Sequence, residues 1–400
     1  MRLLHTSDWH LGRSLHSYDL AAAQAAQVDH LVEVVRRERV DVVVHAGDVH
    51  DRALPPVGAL QLFAEALARI RDAGAAVVAI SGNHDAPVRL GDKAGLLDRS
   101  ISLRTDPARV AEPFVLSDET GLVAFYAVPY LEPAAVRGVL PDGDGDGADD
   151  PAEPDGSDDL TPTPGAHARV LRRAMRAVHA DRRARGGRSV VLAHAWVTGG
   201  RASESERDIS VGGVAQVPAA LFDGVDYTAL GHLHRPQVLR EGLRYSGSPL
   251  PYSFSEAGAD KLSWLVELGP HGLSRVEAVP APLHRRLTAL RGRLQDLLDR
   301  PEHATAEDAF VSVVLTDPVR PVDAMAALRR RFPYALELRH EPEGVLPVPG
   351  SSYAERTRGR SDQEVAELFV AHVRSEPADA ERRLLREALE QARREERVPA

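Results

Sequence analysis

Along the first hundred residues, apolar runs of strand length alternate with longer stretches in which apolar positions recur every three to four residues. "MRLLHTSD" is followed by the helical "LAAAQAAQVDHLVEVVRRERV", then "DVVVHAGD", the helical "VGALQLFAEALARIRDAG", and "AAVVAISGNHD". Strand, helix, strand predicts an α/β sheet covered by helices. Two further strands, "SVVLAHA" and "YTALGHLH", follow residue 188. From about residue 283 the texture changes. "LHRRLTALRGRLQDLLDRPE", strand-like "DAFVSVVLTD", helical "VDAMAALRRRF" and strand-like "ALELRHE" predict a small separate α/β domain over 283–345. Residues 346–360 read as a linker. Residues 361–400 read as two helices, the first opened by the capping box "SDQE". Val365, Leu368 and Phe369 form one apolar stripe; Leu384, Leu385, Ala388, Leu389 and Ala392 form a second.

Composition narrows the chemistry. The 400 residues are 43% hydrophobic and 27% charged, ordinary values for a globular chain of two or three domains. Cysteine is absent, which excludes disulfides and thiolate metal sites and leaves His, Asp, Glu and Asn as available ligands. No run approaches the roughly 18 apolar residues of a spanning helix, and "MRLLHTSDWHLG" has no long apolar core. A cytoplasmic location is the expectation.

The net charge of -10 is local: residues 142–160 hold nine acidic residues and no basic one, and without them the chain stands at -1. A near-neutral body argues neither for nor against a polyanionic partner. Within that stretch Asp142, Asp144, Asp146, Gly147 and Glu153 match a calcium-loop pattern. Pro141 precedes it, Pro151 and Pro154 interrupt its second half and no amphipathic helix flanks it, so the expectation is a disordered insertion.

Polar residues of one chemical kind recur after the apolar runs. They are Asp8 and His10 in "SDWH", Asp48 and Asp51 in "GDVHD", Asn83 and His84 in "GNHD", His194 in "AHA", and His232 and His234 in "GHLH". Open α/β sheets place sites at the carboxyl ends of their strands, so five such segments point to one cleft. The two-residue spacing of Asp8 with His10, and of His232 with His234, puts each pair on one face of an extended strand. Adjacent Asn83 and His84 face opposite ways, which implies different tasks. Oxygen and imidazole donors without sulfur suit manganese, iron or zinc. Any one of these residues taken singly reads as structural. His5 and His45 lie inside strands and His50 is expected to point away, so these three are assigned no role.

The order D-x-H, GD-x-x-D, GNHD, a lone His and G-H-x-H resembles the calcineurin-like metallophosphoesterases. Within them, "MRLLHTSDWHLGRSLH", "AGDVHDRALPP", "ERDISVGG", "YTALGHLHRPQ" and "YSGSPLPYSFSE" look like segments of the exonuclease subunits of bacterial double-strand-break repair. The acidic insertion and His50 depart from the pattern. The resemblance implies mixed β-sheets flanked by helices, a small α/β capping domain and a C-terminal helical tail. In domain terms, 1–282 would be the nuclease, 283–345 the cap and 361–400 the partner-binding helices.

By the same resemblance Asp8, His10, Asp48 and His234 would hold one manganese, and Asp48, Asn83, His194 and His232 the other, with Asp48 bridging. His84 would position the phosphate and protonate the leaving 3′ oxygen, and Asp51 would fix the His84 ring. The implied partners are double- and single-stranded DNA and an SbcC-type ATPase with a coiled coil, in a heterotetramer built on a homodimer. Two other readings share parts of this pattern. A phosphatase or cyclic-nucleotide phosphodiesterase would need no extra domains, and an inactive scaffold would be missing ligands.

Overall fold

The structure, a computed structural model, describes residues 1–136, 138–140, 165–207, 209, 216–343, 357, 359–373 and 377–395. The calcium-loop match and the acidic insertion lie outside the described residues, as does most of the 346–360 linker. The chain divides into two compact units between Arg286 and Leu287.

The first unit is built on two six-stranded sheets. In the first, β1 (Arg2–Thr6), β4 (Val42–His45), β5 (Ala76–Ile80) and β6 (Ile101–Arg104) run parallel, and β13 (Leu262–Gly269) and β14 (Gly272–Pro280) extend the β1 edge antiparallel. In the second, β8 (Gly121–Val128), β9 (Arg188–His194), β10 (Tyr227–Gly231) and β12 (Leu243–Tyr245) are parallel. Antiparallel β7 (Phe114–Asp118) and β11 (Gln237–Arg240) close its two edges. A two-stranded hairpin, β2 (Ser14–Leu15) and β3 (Tyr18–Asp19), precedes the first helix.

Alternation along each strand decides what it packs against. Leu3, Val42, Val44, Val78 and Ile80 face Val123, Phe125, Val190, Leu192 and Tyr227 across the space between the sheets. Their neighbours turn outward. Leu4, Val43, Val77 and Ala79 meet helices α1 (Ala21–Glu38) and α2 (Val57–Asp72). Ala124, Tyr126, Val191 and Ala193 meet α4 (Ala166–Arg185), beyond the short α3 (Pro87–Gly91). The result is helix, sheet, sheet, helix, with the central strands buried on both faces as their continuous Val/Ile/Leu runs require.

The second unit holds a parallel sheet of β15 (Leu287–Gly292), β16 (Phe310–Leu315) and β17 (Ala335–His340). Its core of Leu290, Val311, Val313, Leu315, Leu328 and Phe332 is shared with α5 (Leu294–Asp299) and α6 (Ala324–Arg331). Two helices follow, α7 (Asp362–Val373) and α8 (Asp379–Glu395). The capping box is present: the Ser361 Oγ accepts from the Glu364 backbone N–H at 3.3 Å, and the Glu364 carboxylate accepts from the Ser361 N–H at 2.8 Å. Among the described residues no helix is long and apolar enough to cross a membrane.

Candidate metal centre

Every segment singled out by its chemistry follows a parallel strand. Asp8 and His10 lie beyond β1, Asp48 and Asp51 beyond β4, and Asn83 and His84 beyond β5; His194 ends β9, and His232 and His234 lie beyond β10. The carboxyl edges of the two sheets meet there. His194 Nδ1 bonds the Ala46 carbonyl at 2.9 Å, and the His232 backbone N–H donates to Asp8 Oδ1 at 2.9 Å. Glycine permits that approach: a Cβ on Gly82 would lie 2.1 Å from Asp48 Oδ1, and one on Gly231 would lie 1.9 Å from the Ala46 carbonyl oxygen.

The expectation that strand alternation aligns Asp8 with His10 is corrected by the backbone. β1 ends at Thr6, and Asp8 (φ 53°), His10 (φ 44°), Asp48 (φ 53°) and His232 (φ 104°) are all in the left-handed region. Non-glycine residues hold such conformations only where the surroundings impose them, and they gather at functional sites. Tight turns beyond the strands, rather than pleating, aim these side chains inward.

Two groups of donors meet at Asp48. Its Oδ2 lies 3.6 Å from His10 Nε2 and 3.5 Å from His194 Nε2. On the His10 side, Asp8, His10 and His234 bring their ligand atoms within 4.8 Å of one another, and the His10 and His234 Nε2 atoms are 2.9 Å apart. On the His194 side, Asn83 Oδ1 is 2.8 Å from His194 Nε2 and 3.1 Å from His232 Nδ1. Asp8, Asp48 and the four histidines are at most 2% exposed. The Ala46 carbonyl can only accept, so a proton stays on His194 Nδ1, and Nε2 is the nitrogen left to face the site once the ring is neutral.

Burial dominates the electrostatics. It raises the Asp8 carboxyl to about 6 against the pull of His194 and His234, and it drives His10 and His232 well below the usual imidazole value. For Asp48 burial acts upward, but the His194 and His10 rings override it and hold the carboxyl well below its usual range. His194 shows the converse. Burial acts downward, the Asp48 carboxylate outweighs it, and the imidazole is raised to about 9. Two carboxylates, one amide oxygen and four imidazole nitrogens converge on one buried space, and this set of oxygen and nitrogen donors without sulfur fits a divalent metal.

His84 is half-buried beside the site, its ring centroid 4.7 Å from that of His10. Its backbone N–H donates to Asp48 Oδ1 at 2.9 Å. Asp51 meets the His84 ring through its main chain and not its carboxylate. The His84 ring nitrogen Nδ1 bonds the Asp51 backbone carbonyl at 2.7 Å, while the Asp51 carboxylate lies 3.6 Å from Arg13 Nε and 3.5 Å from Arg52 Nη2. The histidines assigned no role are buried outside the donor set, and both ring nitrogens of His45 and Nε2 of His50 have no hydrogen-bond partner among the described residues. His5 bonds the Tyr227 hydroxyl and the Leu230 carbonyl, His45 sits edge-on to Trp9 at 4.7 Å, and His50 lies 3.4 Å from Asp85.

Sequence reasoning missed several supporting side chains. Asp85 accepts from the backbone N–H groups of Val49, His50 and Gly82 and so ties two metal-site loops together. Glu206 accepts from the His234 N–H at 2.8 Å. Ser205, Glu256 and Lys261 stand behind His234. One signal was available: Lys261 is one of only two lysines among 49 basic residues, the other being Lys93.

Residues 1–236 match the family model of the calcineurin-like phosphoesterases. The chain belongs to that family, whose fold binds divalent metal. Residues 283–374 match a second model, the SbcD-type C-terminal domain, described as the Type 5 capsule protein repressor C-terminal domain. Together the two matches support an SbcD-type nuclease. Among solved structures, the chain is 11% identical to GAP50, the anchor in the inner membrane complex of Plasmodium, over 88% of this chain and 99% of that one, with a TM-score of 0.38. It is 12% identical to a dimetal phosphatase from Danio rerio over 70% of this chain and 99% of that one, with a TM-score of 0.38. At these scores neither likeness bears on activity.

Proposed function

We propose that this chain is the manganese-dependent DNA nuclease subunit of an SbcC-SbcD-type ATP-dependent repair complex, acting as a double-strand exonuclease and a single-strand or hairpin endonuclease. The observation that supports the reading is the match of residues 283–374 to the SbcD-type C-terminal domain, following in sequence a segment whose Asp8, His10, Asp48, His194 and His234 bring ligand atoms together in groups of three. A small phosphatase needs no such addition, and an inactive scaffold has no reason to keep every donor. Work on DNA implies a cytoplasmic, nucleoid-associated protein.

Asp8, His10, Asp48 and His234 would hold one ion, and Asp48, Asn83, His194 and His232 the other. When bound, two such ions supply an activated water and neutralise the attacked phosphate. The chain supplies the rest. Asp48 ties the two halves. The Asp51 carbonyl holds the His84 Nδ1 proton, so in the imidazolium form Nε2–H faces the site and can protonate the leaving 3′ oxygen. In the tail, Phe369 is 56% exposed and Leu384 is 64% exposed, as apolar positions that dock on a coiled-coil partner would be.

The test is a gel assay of linear duplex and hairpin DNA alongside a small phosphodiester, with and without manganese and the ATPase subunit with ATP. Manganese-dependent DNA cleavage is expected. Hydrolysis of the small ester with DNA left intact would move the chain to the phosphatases. A metal-loaded protein inert on both would make it a scaffold.

A further inference from the structure

His234 is a candidate ligand with a buried side-chain relay behind it. Its Nδ1 is 2.6 Å from the Ser205 hydroxyl, which in turn is 2.6 Å from Glu256 Oε1. Glu256 is 1% exposed and acts only as an acceptor: Oε1 also takes the backbone N–H groups of Tyr252 at 3.0 Å and Ser253 at 3.1 Å, and Oε2 is paired with the Lys261 ammonium. Lys261 further donates to the His234 carbonyl at 2.9 Å and to the Ser248 hydroxyl at 2.8 Å, so its cation is fixed against the same segment.

These contacts allow one direction of hydrogen bonding. An ionised carboxylate cannot donate, so the hydroxyl proton of Ser205 points to Glu256, and its oxygen lone pairs then face His234 Nδ1. Nδ1 must carry the imidazole proton, which leaves the Nε2 lone pair aimed at His10 and Asp8. A second hydroxyl, Ser203, lies 2.8 Å from Ser205 Oγ, but it gives its own proton to Glu206 Oε2 at 2.7 Å. The loop carrying Ser205 is held from outside the relay, by Arg13 on the Ser205 carbonyl at 2.8 Å and by Ser255 on the Glu204 N–H at 3.0 Å.

We propose that Ser205 and Glu256 are positioning residues that lock His234 in its Nδ1–H tautomer and so prepare Nε2 to bind the metal, with Lys261 fixing the Glu256 carboxylate in place. The inference rests on the metal-centre reading and extends it to residues that touch no ion. Partners that orient a ligating imidazole typically contribute about 10- to 100-fold in metal affinity.

The test uses the full chain labelled with ¹⁵N-histidine, with manganese chloride as the only ligand. In metal-free wild type, long-range ¹H–¹⁵N correlation should show His234 protonated at Nδ1. Ser205→Ala should abolish that single tautomer and weaken manganese binding by about 10- to 100-fold in calorimetry. Ser205→Thr, which keeps the hydroxyl, should restore both readouts. Glu256→Gln, which keeps the shape, should lower affinity as Ser205→Ala does. Ser255→Ala loosens the same loop without touching the relay and should change neither. An unchanged tautomer or an unchanged affinity in Ser205→Ala overturns the proposal, as does an equal loss in Ser255→Ala. Wild type that binds no manganese would defeat the metal-centre reading instead, and the metal-free spectra would still decide the relay.

Discussion

His84 gives its Nδ1 proton to the backbone carbonyl of Asp51, 2.7 Å away, and receives nothing from the Asp51 carboxylate. A carbonyl held by the main chain fixes the ring without adding charge, and it does so beside His10 and Asp48, whose ligand atoms lie within 4.8 Å of one on His84; the proposed role makes His84 the proton donor and not a ligand. His84→Gln should therefore keep the full complement of manganese while DNA cleavage falls by about 10² to 10⁴. Asp48→Asn should instead lose metal, because its carboxylate serves both halves of the site. Elemental analysis alongside the cleavage assay separates the two, and loss of manganese from His84→Gln would make that histidine a ligand. Because the contact uses the main chain, Asp51→Asn should leave the His84 ring in place and cost far less than His84→Gln.

Metal binding should be pH-dependent with a defined sign. Asp48 raises His194 from 6.5 to about 9, so at pH 7 the metal-free ring carries a proton that an incoming cation must expel. Apparent manganese affinity should climb from pH 6 to about 9 and then level off, with protons released below that point. Titration calorimetry in buffers of different ionisation enthalpy counts those protons, and release of none at pH 7.5 would refute the assignment. Folding follows the opposite trend. The raised His194 value stabilises the metal-free fold fully below 6.5, and that contribution is lost as pH rises through about 9.

Gly231→Ala should damage the junction of the two sheets. The added methyl would sit 1.9 Å from the Ala46 carbonyl, which is main chain and cannot swing away. A loss of about 1–3 kcal/mol is the usual cost of such overpacking. Gly95→Ala, with nothing within 4 Å, is the control. Equal midpoints in urea unfolding for the two variants would show that the junction tolerates the methyl.

Truncation after residue 350 removes α7 and α8. It should abolish co-purification with the ATPase subunit while the remaining chain stays soluble and binds manganese, because the metal centre lies wholly within the first unit. A truncated protein that aggregates would mean that the tail covers a surface of its own chain.

Much of the site was legible because its chemistry is local: acids and imidazoles standing immediately after apolar runs mark strand ends, and strand ends are where parallel sheets expose side chains. The apolar periods likewise announced the α/β layers of the first hundred residues, the small α/β unit near the C-terminus and the capped tail helix. The second sheet was announced only by β9 and β10. Its remaining strands are defined by pairing with each other, and hydrogen-bond partners across sheets leave no periodic trace in the chain. Left-handed turns at Asp8, His10, Asp48 and His232 replaced the simple strand spacing, since those φ values are imposed by packing and not by residue type. Ser205 and Glu256 were invisible for the same reason. They stand 29 residues before and 22 residues after His234, and only the tertiary fold brings a hydroxyl and a buried carboxylate into line behind a ring nitrogen.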